Sequence, residues 1–259
     1  MGEVGLGVVE HILPSLKKDL SLDLVIAQAE NTTAGRGISV QDFERIQSAG
    51  VDFCTGGNHS LFLKEINEAM ADPLVPIIRP ANYPAKTPGL GYKYIDTVAG
   101  PVLVISLLGQ IVGRDADKPL DNPLLTIDKI LDSEKSKQKV ATIVNFHGDF
   151  SSEKFIIGHY LDGKVSAVIG DHWHIPTADA SVLPGGTAHI TDVGMCGSLD
   201  SSLGVKFSDI VPRWRNGIQT RNQLETAGRM QFNALLVEIN PEDATAIKAE
   251  HIRRIIPSL

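Results

Sequence analysis

The feature that most constrains this chain is a repeated order of short apolar run, polar cluster and amphipathic stretch. Residues 22–29 are mostly apolar with β-branched side chains, and runs of the same kind recur at 51–55, 75–78, 140–146, 165–169 and 188–191. Strands buried on both faces of a parallel sheet read in this way. Helix-like patterns at 7–18, 40–48, 61–71, 124–133 and 152–161 lie between them. Ser39 and Ser151 or Ser152 suit helix N-caps, and Gly50 and Gly163 suit helix stops. The order predicts a largely parallel sheet flanked by helices. Two stretches break it. Residues 91–110 hold two strand-like halves around Ala99-Gly100-Pro101, and residues 235–239 and 246–255 flank a turn at Asn240-Pro241-Glu242-Asp243. Both read as antiparallel hairpins that extend the core or form a second sheet. With no repeat, low-complexity tract or linker, residues 1–259 read as a single α/β domain.

Composition narrows the class. Hydrophobic residues at 42% and charged residues at 21% allow a sizeable core. A formal net charge of −7 argues against stable DNA binding or an anionic membrane as the main partner. An acidic protein can still bind phosphate where metal ions supply the positive charge. Two cysteines, Cys54 and Cys196, give no disulfide framework and suit a reducing compartment. No apolar run reaches the ~20 residues a membrane span needs. The first residues lack the basic and apolar regions of a signal peptide. A cytoplasmic protein is expected.

Four polar clusters each follow a predicted strand: Ala29-Glu30-Asn31, Gly56-Gly57-Asn58-His59, Asn145-Phe146-His147-Gly148-Asp149 and Gly170-Asp171-His172-Trp173-His174. The carboxyl ends of parallel strands share one edge, so these clusters should converge. Carboxylate, amide and imidazole together suit divalent metals of borderline hardness. Each cluster alone is ambiguous. A strand-end Glu30 is commonly a helix cap or a solvated charge, a Gly-Asn-His stretch can be a simple turn, and His147 can be a core histidine. His172-x-His174 is sharper, because alternate residues leaving a strand can aim two imidazoles at neighbouring points. Agreement of four clusters with four strands favours a site. His11, His159, His189 and His251 follow no strand end and read as structural or surface residues.

These motifs, in this order, resemble the calcineurin-like metallophosphoesterases, and more closely the YmdB-like bacterial family of 2′,3′-cyclic-nucleotide phosphodiesterase type. The matching stretches include Glu30-Asn31 with Gly35-x-Gly37, Gly57-Asn58-His59, residues 78–84 and Phe146-His147 with Ser152-Glu153-Lys154. They continue with Gly170-x-His172-x-His174, Thr177-Ala178-Asp179 and Ile190-Thr191-Asp192-Val193-Gly194-Met195. The resemblance implies a metallophosphoesterase-like α/β sandwich of mixed sheets flanked by helices. It also implies two divalent metal ions, with Fe, Mn and Zn all suited to such ligands. Glu30 would bridge them, Asn58, His147 and His172 would complete one site, His174 would belong to the other, and Asn31 would lie close to metal or substrate. His59 would be the catalytic acid toward the leaving oxygen. The expected substrate is a small phosphate ester such as a 2′,3′-cyclic nucleotide.

The chain departs from the pattern at its start. The family opens with an apolar strand ending in Gly-Asp, whose Asp is a ligand. Matched without gaps, that strand and its Asp fall before Met1, so the first β-strand is expected to be absent; Gly2-Glu3 is the other stand-in. An unpaired sheet edge would then favour self-association into a homo-oligomer. Trp173, Leu61 and Pro176 also differ from the residues usual at their places, which bears on the substrate more than on the chemistry. Two other functions fit less well. One is a catalytically impaired metal- or nucleotide-binding regulatory protein of the same fold. The other is an amidohydrolase, whose His-x-His usually follows the first strand.

Overall fold

The computed structural model describes the backbone of residues 1–259 and all side chains except that of Arg114. Eleven strands and six α-helices alternate along the described chain. The helices are α1 (Gly2–Asp19), α2 (Val40–Ser48), α3 (Asn67–Ala71), α4 (Pro123–Glu134), α5 (Ser151–Tyr160) and α6 (Phe207–Asn216). The strands are β1 (Ile26–Gln28), β2 (Phe53–Thr55), β3 (Tyr92–Thr97), β4 (Gly100–Leu108), β5 (Ala141–His147), β6 (Ala167–Asp171), β7 (Ser181–Val182), β8 (Ala188–Ile190), β9 (Gly197–Ser198), β10 (Met230–Ile239) and β11 (Ala246–Ile256).

A six-stranded sheet runs in the order β3-β4-β5-β6-β8-β7. Its four central strands are parallel, and β3 and β7 close it as antiparallel edges. The apolar runs of β4 and β5 serve two faces by strand alternation. Leu103, Ile105 and Leu107 pack with Ile127 of α4 and Ile157 of α5. Val102, Val104 and Ala141 point the other way, onto Phe53 and Ile78. On that second side lie two small sheets, the parallel pair β1-β2 and the three-stranded β11-β10-β9. Helices α1 and α2 cover their outer face through Leu6, Val8, Leu13, Phe43 and Ile46. The layer order is helix, sheet, sheet, helix, as expected for an α/β sandwich.

Several local expectations change. Of the helix expected over 61–71 only Asn67–Ala71 is α-helical, and α5 starts at Ser151 after Phe150 with no side-chain cap, so neither Ser151 nor Ser152 is its N-cap. Residues 75–78 contribute only an isolated bridge, Ile77 to Cys54. The β1 and β2 strands are three residues long, shorter than their apolar runs. The first helix begins at Gly2 rather than residue 7. There Glu3 is mostly exposed and its carboxylate pairs with Arg45 at 2.8 Å, so it faces solvent and not the strand ends. No helix among the described residues is long and apolar enough to cross a membrane.

A cavity of about 770 Å³ lies between the layers. Its walls include Leu6 of α1, Ala27 of β1, Val104 of β4 and Ala234 of β10, together with the polar Asn31, His147, His172 and His174. Three of the four polar clusters contribute to this lining, and Asn58 of the remaining one joins them through His147. They come from the ends of strands in two stacked sheets, not from one sheet edge as their spacing alone suggests.

Candidate metal centre and active site

Glu30 leaves the end of β1 fully buried. Its Oε2 accepts the backbone N–H of His59 at 2.9 Å. Its Oε1 lies 3.1 Å from His147 Nε2 but has no hydrogen-bond partner. A buried carboxylate oxygen without a donor is costly unless something positive meets it. Burial pushes the Glu30 carboxyl upward, yet the neighbouring His147 and His59 outweigh it and bring the pKa down to about 2.

His147 closes β5 and is also fully buried. Its Nδ1 meets the Asp171 carboxylate, and its Nε2 faces Glu30 and, at 2.8 Å, Asn58 Oδ1. A carboxylate behind one ring nitrogen fixes the tautomer and leaves the other nitrogen to the site, the usual setting of a metal-bound histidine. Burial disfavours the charged ring, but Glu30 and Asp171 raise its pKa to about 10. The pocket thus draws positive charge to one point, where either a proton or a cation satisfies it. Gly57 is required here, because a Cβ at this position would collide with the His147 ring.

His172 stands beside His147 with ring centroids 4.4 Å apart, and its Nε2 is 3.1 Å from Asp149 Oδ1. Glu30, His147 and His172 offer ligand atoms that all lie within 4.8 Å of one another. Asn58 joins through its bond to His147, while its Nδ2 donates to Asp115 at 2.7 Å. His174 lies outside the three-residue group. It meets the site through Asn31, whose Nδ2 is 3.1 Å from His174 Nε2. The Oδ1 of Asn31 is 2.8 Å from His59 Nδ1. His59 keeps 22% of its side chain exposed, and its Nε2 lies 4.0 Å from Asp115 Oδ2. Burial lowers its pKa, against the opposing pull of Glu30.

All seven residues singled out by sequence therefore meet in one cleft. The other histidines stay outside this contact network: His189 Nδ1 meets the Val168 carbonyl, and His251 Nε2 that of Val193. Three further acids went unassigned. Asp149 and Asp171 lie inside the polar clusters, where a carboxylate next to candidate histidines was a usable signal. Asp115 comes from the loop after β4, and no motif marks it.

The sequence pattern described as "YmdB-like protein" matches residues 1–255. The chain belongs to the YmdB-like family. It is 35% identical over 253 residues to the 2′,3′-cyclic-nucleotide 2′-phosphodiesterase of Bacillus subtilis (strain 168), covering 97% of this chain and 93% of that relative. A crystal structure of a novel phosphatase from Mycoplasma pneumoniae superposes with a TM-score of 0.91 at 29% identity, over 99% of this chain and 91% of the other. A hypothetical protein from Thermus thermophilus gives 0.89 at 32% identity, over 99% and 96%. The α/β sandwich expected from the sequence is the fold these structures share.

Proposed function

We propose that this protein is a phosphodiesterase that hydrolyses a small phosphate ester, a 2′,3′-cyclic nucleotide being the leading substrate, at two divalent metal ions. The observation that carries this reading is the unpartnered Glu30 Oε1, buried among His147, His172 and Asn58. Carboxylate and imidazole donors converging on one point fit Fe, Mn or Zn. Glu30, Asn58, His147 and His172 would hold one ion. His174, with Glu30 and Asn31, would hold the other. When bound, such ions neutralise phosphate charge and acidify the attacking water.

The remaining chemistry belongs to side chains. Asp171 and Asp115 orient His147 and Asn58 by hydrogen bonds. His59 is the proton donor. Its Nδ1–H donates to Asn31 Oδ1, so Nε2 carries a transferable proton in the imidazolium form, which Glu30 and Asp115 favour against burial, and presents it to the leaving ribose oxygen. An alkoxide is a poor leaving group, and protonating it as the P–O bond breaks lowers that barrier. The partly exposed His59 can reach a bound ester, whereas buried His147 cannot. The acidic surface leaves a small substrate as the natural partner.

The test is metal removal and return. Chelation should abolish turnover of 2′,3′-cyclic AMP, and Mn²⁺, Zn²⁺ or Fe²⁺ should restore it while metal analysis finds bound ions. Full activity in metal-free protein, or metal binding with no turnover of any phosphodiester, would overturn the proposal.

A further inference from the structure

Three stretches of the family resemblance, around Lys154, around Thr177 and at 190–195, meet beneath the His172-Trp173-His174 turn. Lys154 of α5 is fully buried, and its Nζ donates to the Asp171 carbonyl and to Asp192 Oδ2, both at 2.6 Å. The same Asp192 oxygen accepts the backbone N–H of Trp173 at 2.8 Å, while Oδ1 accepts that of Gly194 at 2.9 Å. The ammonium sits 4.2 Å from the centre of the Trp173 ring, and the indole N–H donates to the Asp149 carbonyl at 2.9 Å. One ion pair therefore grips the turn on both sides, at the carbonyl of residue 171 and the amide of residue 173. Val193 N–H to the Gly170 carbonyl and Met195 N–H to the His174 carbonyl lace its two ends.

The turn needs such a grip. His172 has φ +111° and His174 φ +65°. Side chains rarely adopt this region, and such conformations persist only where their surroundings over-determine them. A buried ion pair is weak evidence of stabilisation, since apolar replacements of similar shape are often neutral. Fixing geometry is its better explanation at this place. We propose that Lys154, Asp192 and Trp173 are positioning residues that hold the 171–174 turn with His172 and His174 at positive φ and thereby aim those two side chains into the cleft. The inference rests on the ligand role given to those two histidines above.

Removing one charge leaves the other buried and unpaired, so the test replaces both, as Lys154→Met with Asp192→Leu. The expected result is a folded protein whose residues 171–175 exchange amide hydrogen at least about tenfold faster in the metal-free state, with α4 and β5 unchanged. Its Mn²⁺ affinity should fall about 10–100-fold, the usual cost of losing support behind metal ligands. Should the double variant fail to fold, Trp173→Leu, which keeps the ion pair and removes the ring over Lys154 and the indole N–H to Asp149, is read by the same two measurements. Wild-type exchange at the turn together with wild-type Mn²⁺ affinity in a folded variant would overturn the proposal. If the wild type binds no Mn²⁺, the ligand reading fails and the exchange measurement alone decides the clamp, accelerated turn exchange supporting it and unchanged exchange refuting it.

Discussion

His147 and His59 are both imidazoles on the path of one carboxylate, Glu30, yet their surroundings divide their work. His147 is sealed from solvent between Glu30 and Asp171, so its ring can hold a cation but cannot follow a substrate. His59 is partly exposed and tethered through one nitrogen by Asn31. This difference gives two expected outcomes. His59→Ala should keep bound metal while turnover of a substrate with a poor leaving group falls by about 10²-fold or more, the usual size of a lost general acid. His172→Ala should lose metal affinity and activity together. Metal analysis beside steady-state kinetics on both variants checks this. An undiminished His59→Ala enzyme on a poor leaving group would remove His59 from the acid role.

At the scale of elements, short strands and firm helix caps place the clusters. Only three residues of β1 pair with β2, so Glu30 and Asn31 leave the sheet at once and turn into the cleft. Helix α2, which follows, starts at Ser39, whose hydroxyl accepts the Asp42 N–H at 3.0 Å. Thr33 ties the same turn to Asp42 at 2.5 Å. Ser39→Ala should therefore lower unfolding stability by about 1 kcal/mol, the typical cost of a lost N-cap. Metal affinity should stay within about twofold of wild type, since the cap touches no proposed ligand. Urea denaturation with a Mn²⁺ titration measures both, and an unchanged midpoint would mean that the cap is energetically silent. The run at 75–78 looks as strand-like as its neighbours, yet only Ile77 bridges, because Val75 carbonyl and N–H are spent on Lys93 and Asp72. Such competition from distant polar groups has no local signature.

Across the whole molecule, the two small sheets and the six-stranded sheet close over the interlayer cavity. Ala234 of β10 borders that space and packs against the cluster of α1 and α2. Filling an internal space with apolar atoms commonly adds about 0.5–2 kcal/mol. Ala234→Ile, with a side chain suited to a strand, should raise the urea midpoint accordingly and leave the proposed metal affinity unchanged. A lower midpoint would show that the wall at residue 234 is already packed and that the added methyls strain it.

Much of this arrangement was legible in the chain itself. Period and punctuation marked α2 to the residue, placed both hairpins, and put polar clusters at the ends of β1, β2, β5 and β6, since alternation and caps are local properties. The same clusters, with their order, named the seven residues that meet in the cleft. Three things lay beyond the sequence. The stacking of two sheets, rather than one shared edge, depends on which apolar faces find each other across the core. Asp115, from an unmarked loop, becomes the partner of Asn58 only when that loop folds over the cleft. The buried Lys154–Asp192 pair joins residues 38 positions apart, and nothing in either neighbourhood foretells it. Local pattern determines what each segment can be, while burial decides which polar groups must find one another once water is excluded.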